Sequence, residues 1–156
     1  MGMRGWTVAA LVIGASAAAA MAQSGLMVLP NKQFVPELAD IMYAAQVRHQ
    51  KLYLAGRARN WELASFESGK LRATLAQAAV LYADIPVSNV STLGSDLEAI
   101  DASIEAKNGQ KFDGAFTQLT KGCNACHQSL GRSFIVIRIP TDQAFGNQTF
   151  APKGGR

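Results

Sequence analysis

Phe112-Asp113-Gly114-Ala115-Phe116-Thr117-Gln118-Leu119-Thr120-Lys121-Gly122-Cys123-Asn124-Ala125-Cys126-His127-Gln128-Ser129-Leu130-Gly131 is the stretch on which the fold turns. Phe112, Phe116, Leu119, Cys123, Cys126 and Leu130 alternate steps of four and three, which is the spacing of one helix face. Gly131 closes the pattern, since glycine enters the left-handed conformation that ends helices. Three further stripes lie upstream. Between Gln33 and Gly56 the inward positions read Leu38, Met42, Ala45, His49 and Leu52, with Gly56 as a natural stop. Asn60 can cap the next helix, whose stripe is Trp61, Ala64, Ser68, Leu71, Leu75, Ala78 and Tyr82. Asp84-Ile85-Pro86 breaks that run, because proline disfavours helix at the residue before it. Leu93, Leu97, Ile100 and Ile104 form the third stripe, with Ser91 or Thr92 available as cap and Asn108-Gly109 as terminus. The expected fold is all-α: a four-helix up-down-up-down bundle with short connections.

The pattern changes after Arg132. Ser133 to Pro140 is β-branched and extended in character, and Thr141 to Arg156 is rich in Gly, Pro, Asn and Gln. An apolar segment without a partner strand is a liability. The expectation is an extended C-terminal tail lying along the bundle, with Phe134, Ile135 or Ile137 covering apolar surface. A strand that pairs with another protein is the alternative, and Lys153 to Arg156 should fray.

At the other end, Arg4 is a positive n-region and Thr7 to Ala20 is an apolar run. Ala20-Met21-Ala22 then offers a small-x-small cleavage site, so residues 1–22 read as a signal peptide with the mature chain starting at Gln23. The apolar run falls short of the roughly 20 residues a spanning helix needs. The expected organisation is therefore 1–22 signal, 33–132 helical domain and 133–156 tail, exported to the periplasm without stable membrane insertion.

The whole chain has 156 residues, 49% of them hydrophobic and 17% charged, which suits a single domain. With 5 prolines and 2 cysteines it is neither a low-complexity chain nor a disulfide-framed one. A formal charge of +4 gives no reason to expect nucleic acid. Charge is nevertheless segregated along the chain. Arg48 to Arg72 is mostly basic and Asp84 to Glu105 wholly acidic, so docking patches and ordinary solvated helix faces are both open readings.

Cys123-Asn124-Ala125-Cys126-His127 is the C-x-x-C-H signature of covalent c-type haem attachment. Cysteines three residues apart share a helix face and can form thioethers with two vinyl groups, while the adjacent His127 presents its imidazole to the iron. A thioredoxin-type disulfide needs a βαβ context, which the helical stripes do not provide. Zinc needs four ligands, and one further histidine and no further cysteine exist. A sixth iron ligand must come from upstream, because no methionine follows Cys126. In an antiparallel bundle the start of the first helix lies level with the motif, which favours Met42. His49 is the alternative, seven residues and about 10 Å further along the same face. An iron with no second protein ligand is the third possibility.

This arrangement resembles the class II c-type cytochromes, the cytochrome c-prime family and its low-spin relatives. The resemblance rests on the motif near the end of the last helix and covers about Phe34 to Arg132. It implies one covalently attached haem c, Cys123 and Cys126 as thioether residues, His127 as proximal ligand, and a distal first-helix position near Met42. Low-spin members place a Met there and carry electrons; others leave the iron five-coordinate and bind gases. Homodimers through the first two helices occur in that family. Arg132 stands one position later than the family's usual basic residue, and the tail is longer than the family pattern. The expected function is single-electron transfer between periplasmic redox partner proteins; the alternative is binding or sensing of a small gas such as NO or CO. An enzyme is not expected, since His49 stands alone without a distal acid–base partner.

Overall fold

The computed structural model describes residues 34–153. The signal-peptide reading of 1–22 lies outside them, as does all but the first residue of Lys153 to Arg156, the segment expected to fray. Four helices form an all-α bundle: α1 (Leu38–Arg57), α2 (Trp61–Leu81), α3 (Val87–Glu105) and α4 (Gly109–Ser129). Helix α1 packs along α2, α2 against α3 and α3 along α4, whereas α1 and α4 touch sparingly.

The helix ends have a common chemistry. Helices α1, α3 and α4 each close with a residue in the left-handed region: Arg59, Lys107 and Gly131, with φ of 57°, 49° and 69°. In each case the next amide turns back to a carbonyl in the last turn: Asn60 to Ala55, Asn108 to Ser103, Arg132 to His127. These paired bonds are Schellman closures. Asn60 and Asn108 then act a second time, as caps, their side chains accepting from the amides of Leu63 and Lys111. Two of the three connections thus reduce to a cation–asparagine pair.

This corrects two expectations. Helix α1 runs through Gly56 and stops at Arg57, and the small residue at 56 serves packing instead. A methyl group there would fall on the Phe112 ring. Helix α3 begins at Val87, directly after Pro86, which needs no amide partner at a helix start. Thr92 and Ser95 lie inside that helix and return their hydroxyls to carbonyls four residues back, so neither Ser91 nor Thr92 is the cap.

The stripes are otherwise inward. Leu52, Ala64, Leu71, Leu97, Ile100, Phe112, Phe116 and Leu119 are buried in one cluster. Phe112 and Phe116 stack at 5.9 Å, with Trp61 edge-on to Phe112 and Tyr53 tilted on Phe116. Such pairs add about 0.5–1.5 kcal/mol each beyond their burial. Glu67, which no apolar stripe contains, is buried on α2 with its carboxylate 3.0 Å from the Arg48 guanidinium. Arg57 pairs with Asp113 and Arg72 with Asp101. Three cations of the basic segment are therefore consumed between helices, and one of those pairs joins it to the acidic segment.

The tail makes no strand among the described residues, yet it lies against the bundle. Phe150 is buried in the main core, and Ile139 and Phe145 pack beside it. Lys51 stands over the Phe145 ring, and Asn60 donates to the Ala151 carbonyl. Of the three residues expected to cover apolar surface, Phe134 is 80% exposed. The sealing residues lie further on, because the first part of the tail is occupied at the end of α4.

Gly56→Ala is expected to destabilise the protein by about 1–3 kcal/mol, the usual cost of overpacking a tight core. A lowered urea midpoint with unchanged denaturant slope checks this.

Candidate functional site

Where α1 and α4 part, a cavity of about 420 Å³ opens, within the size range of small-molecule and cofactor sites. One wall carries Met42, Ala45 and His49 of α1; α2 and α3 contribute Leu71, Leu75 and Leu93. The facing wall is Cys123, Cys126, His127 and Leu130, and the tail closes the side with Ile135 and Ile137. Arg132 is the one charged side chain among Lys, Arg, Asp and Glu in this lining. All five residues singled out from the sequence thus meet at one apolar space.

Cys123 and Cys126 are free thiols one turn apart on α4, so their side chains lie on one face. Burial, then the neighbouring Cys126 and Asp96, push the Cys123 thiol up to about 12. At neutral pH it is a protonated thiol, unlike the thiolate of a nucleophile or metal ligand. No group of three or more His, Cys, Asp and Glu is placed to hold a metal ion by itself among the described residues. Asn89, at the start of α3, donates to Ser129 at 2.8 Å and reaches the Cys126 sulfur at 3.5 Å.

His127 ends α4 half-exposed. Its Nδ1 lies 2.9 Å from the Ile135 carbonyl oxygen; a carbonyl only accepts, so Nδ1 carries the proton. In the neutral imidazole this leaves Nε2 as a bare lone pair, the form in which an imidazole binds a metal. Sequence periodicity could not supply this bond, because it depends on how the tail folds back.

His49 has a different environment. Its Nε2 is 2.9 Å from the Thr120 hydroxyl, which itself donates to the Phe116 carbonyl at 2.8 Å. With that hydrogen committed, Thr120 accepts and His49 Nε2 is the donor. The imidazole lies 4.4 Å from the Phe116 ring, centroid to centroid, and burial lowers its pKa to about 4. His49 is a neutral core histidine with a satisfied nitrogen. Met42 is half-buried and packs on Ile41, Ala78 and Ile85.

Four participants escaped the sequence patterns. Thr120 and Asn124 fall off the apolar stripe, Ile135 acts through its carbonyl, and Asp96 acts by its position. Asp96 Oδ2 is buried without a hydrogen-bond partner, facing Gly122, where a methyl group would strike it. Burial raises the Asp96 pKa. Arg48 is engaged with Glu67, and Lys51 with the Phe145 ring.

No helix among the described residues is long and apolar enough to cross a membrane. No family model, curated protein or solved structure matches this chain.

Titration of His49 gives a directional prediction. Its folded pKa of about 4 lies below the ordinary 6.5, so between these values the unfolded chain binds more protons. Stability is fully present above pH 6.5, falls as the pH drops, and is lower by about 3 kcal/mol below pH 4. Urea unfolding at a series of pH values checks this; His49→Gln should flatten the dependence in that window.

Proposed function

We propose that this chain is an exported monohaem c-type cytochrome with the class II architecture, carrying single electrons between periplasmic redox partners. The observation that carries the reading is the convergence of Cys123, Cys126 and His127 on one apolar cavity, with the His127 proton committed to Ile135 and Nε2 left bare. Apolar walls suit a porphyrin plane, and Arg132 at the rim suits its carboxylates. Bound there, haem supplies one-electron chemistry at iron. The chain's own residues would hold it: Cys123 and Cys126 through thioethers, His127 as proximal ligand.

The up-down-up-down topology enters this proposal through register. His49 meets Thr120, Gly56 meets the Phe112 ring and Arg57 meets Asp113, so α4 numbers fall as α1 numbers rise. Stepping two helical turns back from His49 and two forward from Thr120 sets Met42 level with His127. Met42 is therefore the proposed sixth ligand. His49, with Nε2 bonded to Thr120, is the weaker candidate.

The signal peptide at 1–22 and periplasmic maturation belong to the same proposal, since covalent attachment retains haem where a lost cofactor is not readily replaced. One observation favours a second reading. Met42 is packed on Ile41, Ala78 and Ile85, and a methionine serving only as core filler would leave an open iron able to bind NO or CO.

Absorption spectra of protein matured in the periplasm separate these. The expected result is covalently retained haem with sharp reduced bands that ignore carbon monoxide, converted by Met42→Ala to a spectrum that responds to it. A wild-type spectrum shifted by carbon monoxide would move the assignment to gas binding. Cys123→Ala with Cys126→Ala should abolish covalent haem retention; full retention would remove the thioether assignment, and a wild type that takes up no haem would remove the haem reading.

A further inference from the structure

Asn124, one of the two residues between the cysteines, has every polar atom of its side chain in use. Its Nδ2 donates to the Thr120 carbonyl at 3.1 Å and to the Ile137 carbonyl at 2.8 Å. Its Oδ1 accepts from the Ile137 amide at 2.8 Å. Two carbonyls on one side and an amide on the other fix the orientation of the side-chain amide. Toward Ile137 it makes the pair of bonds that a neighbouring strand's peptide would make.

Two residues earlier in the tail, the Ile135 carbonyl meets His127 Nδ1 at 2.9 Å. The tail thus runs back along the end of α4, Ile137 opposite Asn124 and Ile135 opposite His127. The spacings agree. Three helical residues rise about 4.5 Å and two extended residues about 6.6 Å, close enough for both bonds to form between converging segments. The reversal is set by Gly131 in the left-handed region and by the Ile135 amide donating to the Arg132 carbonyl at 2.9 Å. Further on, Phe150 is buried in the core, which anchors the far end of the tail. The remaining freedom is the register of residues 133–139 against α4, and the Asn124 amide is what selects it.

We propose that Asn124 is a positioning residue for His127, acting through the C-terminal strap by holding the Ile135 carbonyl on Nδ1. This deepens the haem reading and rests on it for its consequence at the iron. A carbonyl on Nδ1–H makes an imidazole a stronger donor, which favours the ferric state and fixes ring orientation. The strap is thereby part of the site and not an appendage to it.

The test compares haem-loaded wild type with Asn124→Ala and the near-isosteric Asn124→Asp, whose carboxylate faces two carbonyls. With haem content and helicity unchanged, both variants should show a raised midpoint potential and about tenfold faster exchange of the His127 Nδ1 proton, the loss expected for one hydrogen bond. Wild-type potential and exchange in folded, haem-loaded variants would overturn the proposal. If the wild type takes up no haem, the haem reading fails by itself. The proposal is then read in the haem-free full chain by nitrogen NMR of His127 at pH 8. A pure Nδ1–H tautomer in wild type that becomes a mixture in both variants sustains it; a mixture already in wild type overturns it.

Discussion

The buried hydrogen bond from His49 to Thr120, 2.9 Å long, joins α1 to α4 beside the cavity. Around it Gly56 admits the Phe112 ring and Phe116 fills the space under the imidazole. These contacts fix the register of the most sparsely packed of the four neighbouring helix pairs. The bond requires a neutral imidazole, which burial enforces, and a hydroxyl whose own proton is spent on the Phe116 carbonyl. A buried polar pair of this kind contributes modestly when made and costs more when broken. Its main consequence is geometric: it ties α1 to α4 beside the apolar space that Met42 and His127 both line.

That space persists because the tail, and not α1, covers part of α4. Ile139, Phe145 and Phe150 seal apolar surface, while Ile135 and Ile137 border the cavity. A bundle whose first and last helices packed closely along their whole length would have no room for such a cavity. The strap gives the core its missing apolar cover at one end and shapes a wall of the cavity at the other. Charge follows the same economy of placement. Arg48, Arg57 and Arg72 are paired between helices, which leaves Arg132 as the cation bordering the site.

Much of this was legible in residue order. The heptad-like stripes of α2, α3 and α4 turn inward, as at Leu71, Leu97 and Phe116, because a 3.6-residue period leaves apolar residues one face to share. Asn60 as cap and Gly131 as stop were readable from local chemistry alone. Glu67 was not, since its burial depends on an arginine from another helix. Gly56 was misread for a related reason: a glycine that admits a ring looks, in sequence, like a glycine that ends a helix.

The sequence by itself determined four helices and a C-x-x-C-H face, because periodicity and short-range spacing are set by the chain's own geometry. For a distal iron position, the sequence left open Met42, His49 or no second protein ligand. Only the tertiary structure decided that the imidazole of His49 is spent on Thr120, that His127 donates Nδ1–H to Ile135, and that Asn124 holds the strap in register. Each of these is a bond between groups 8 to 71 residues apart. Long-range hydrogen bonds follow from how packed elements meet, and no local pattern encodes which atoms will face each other.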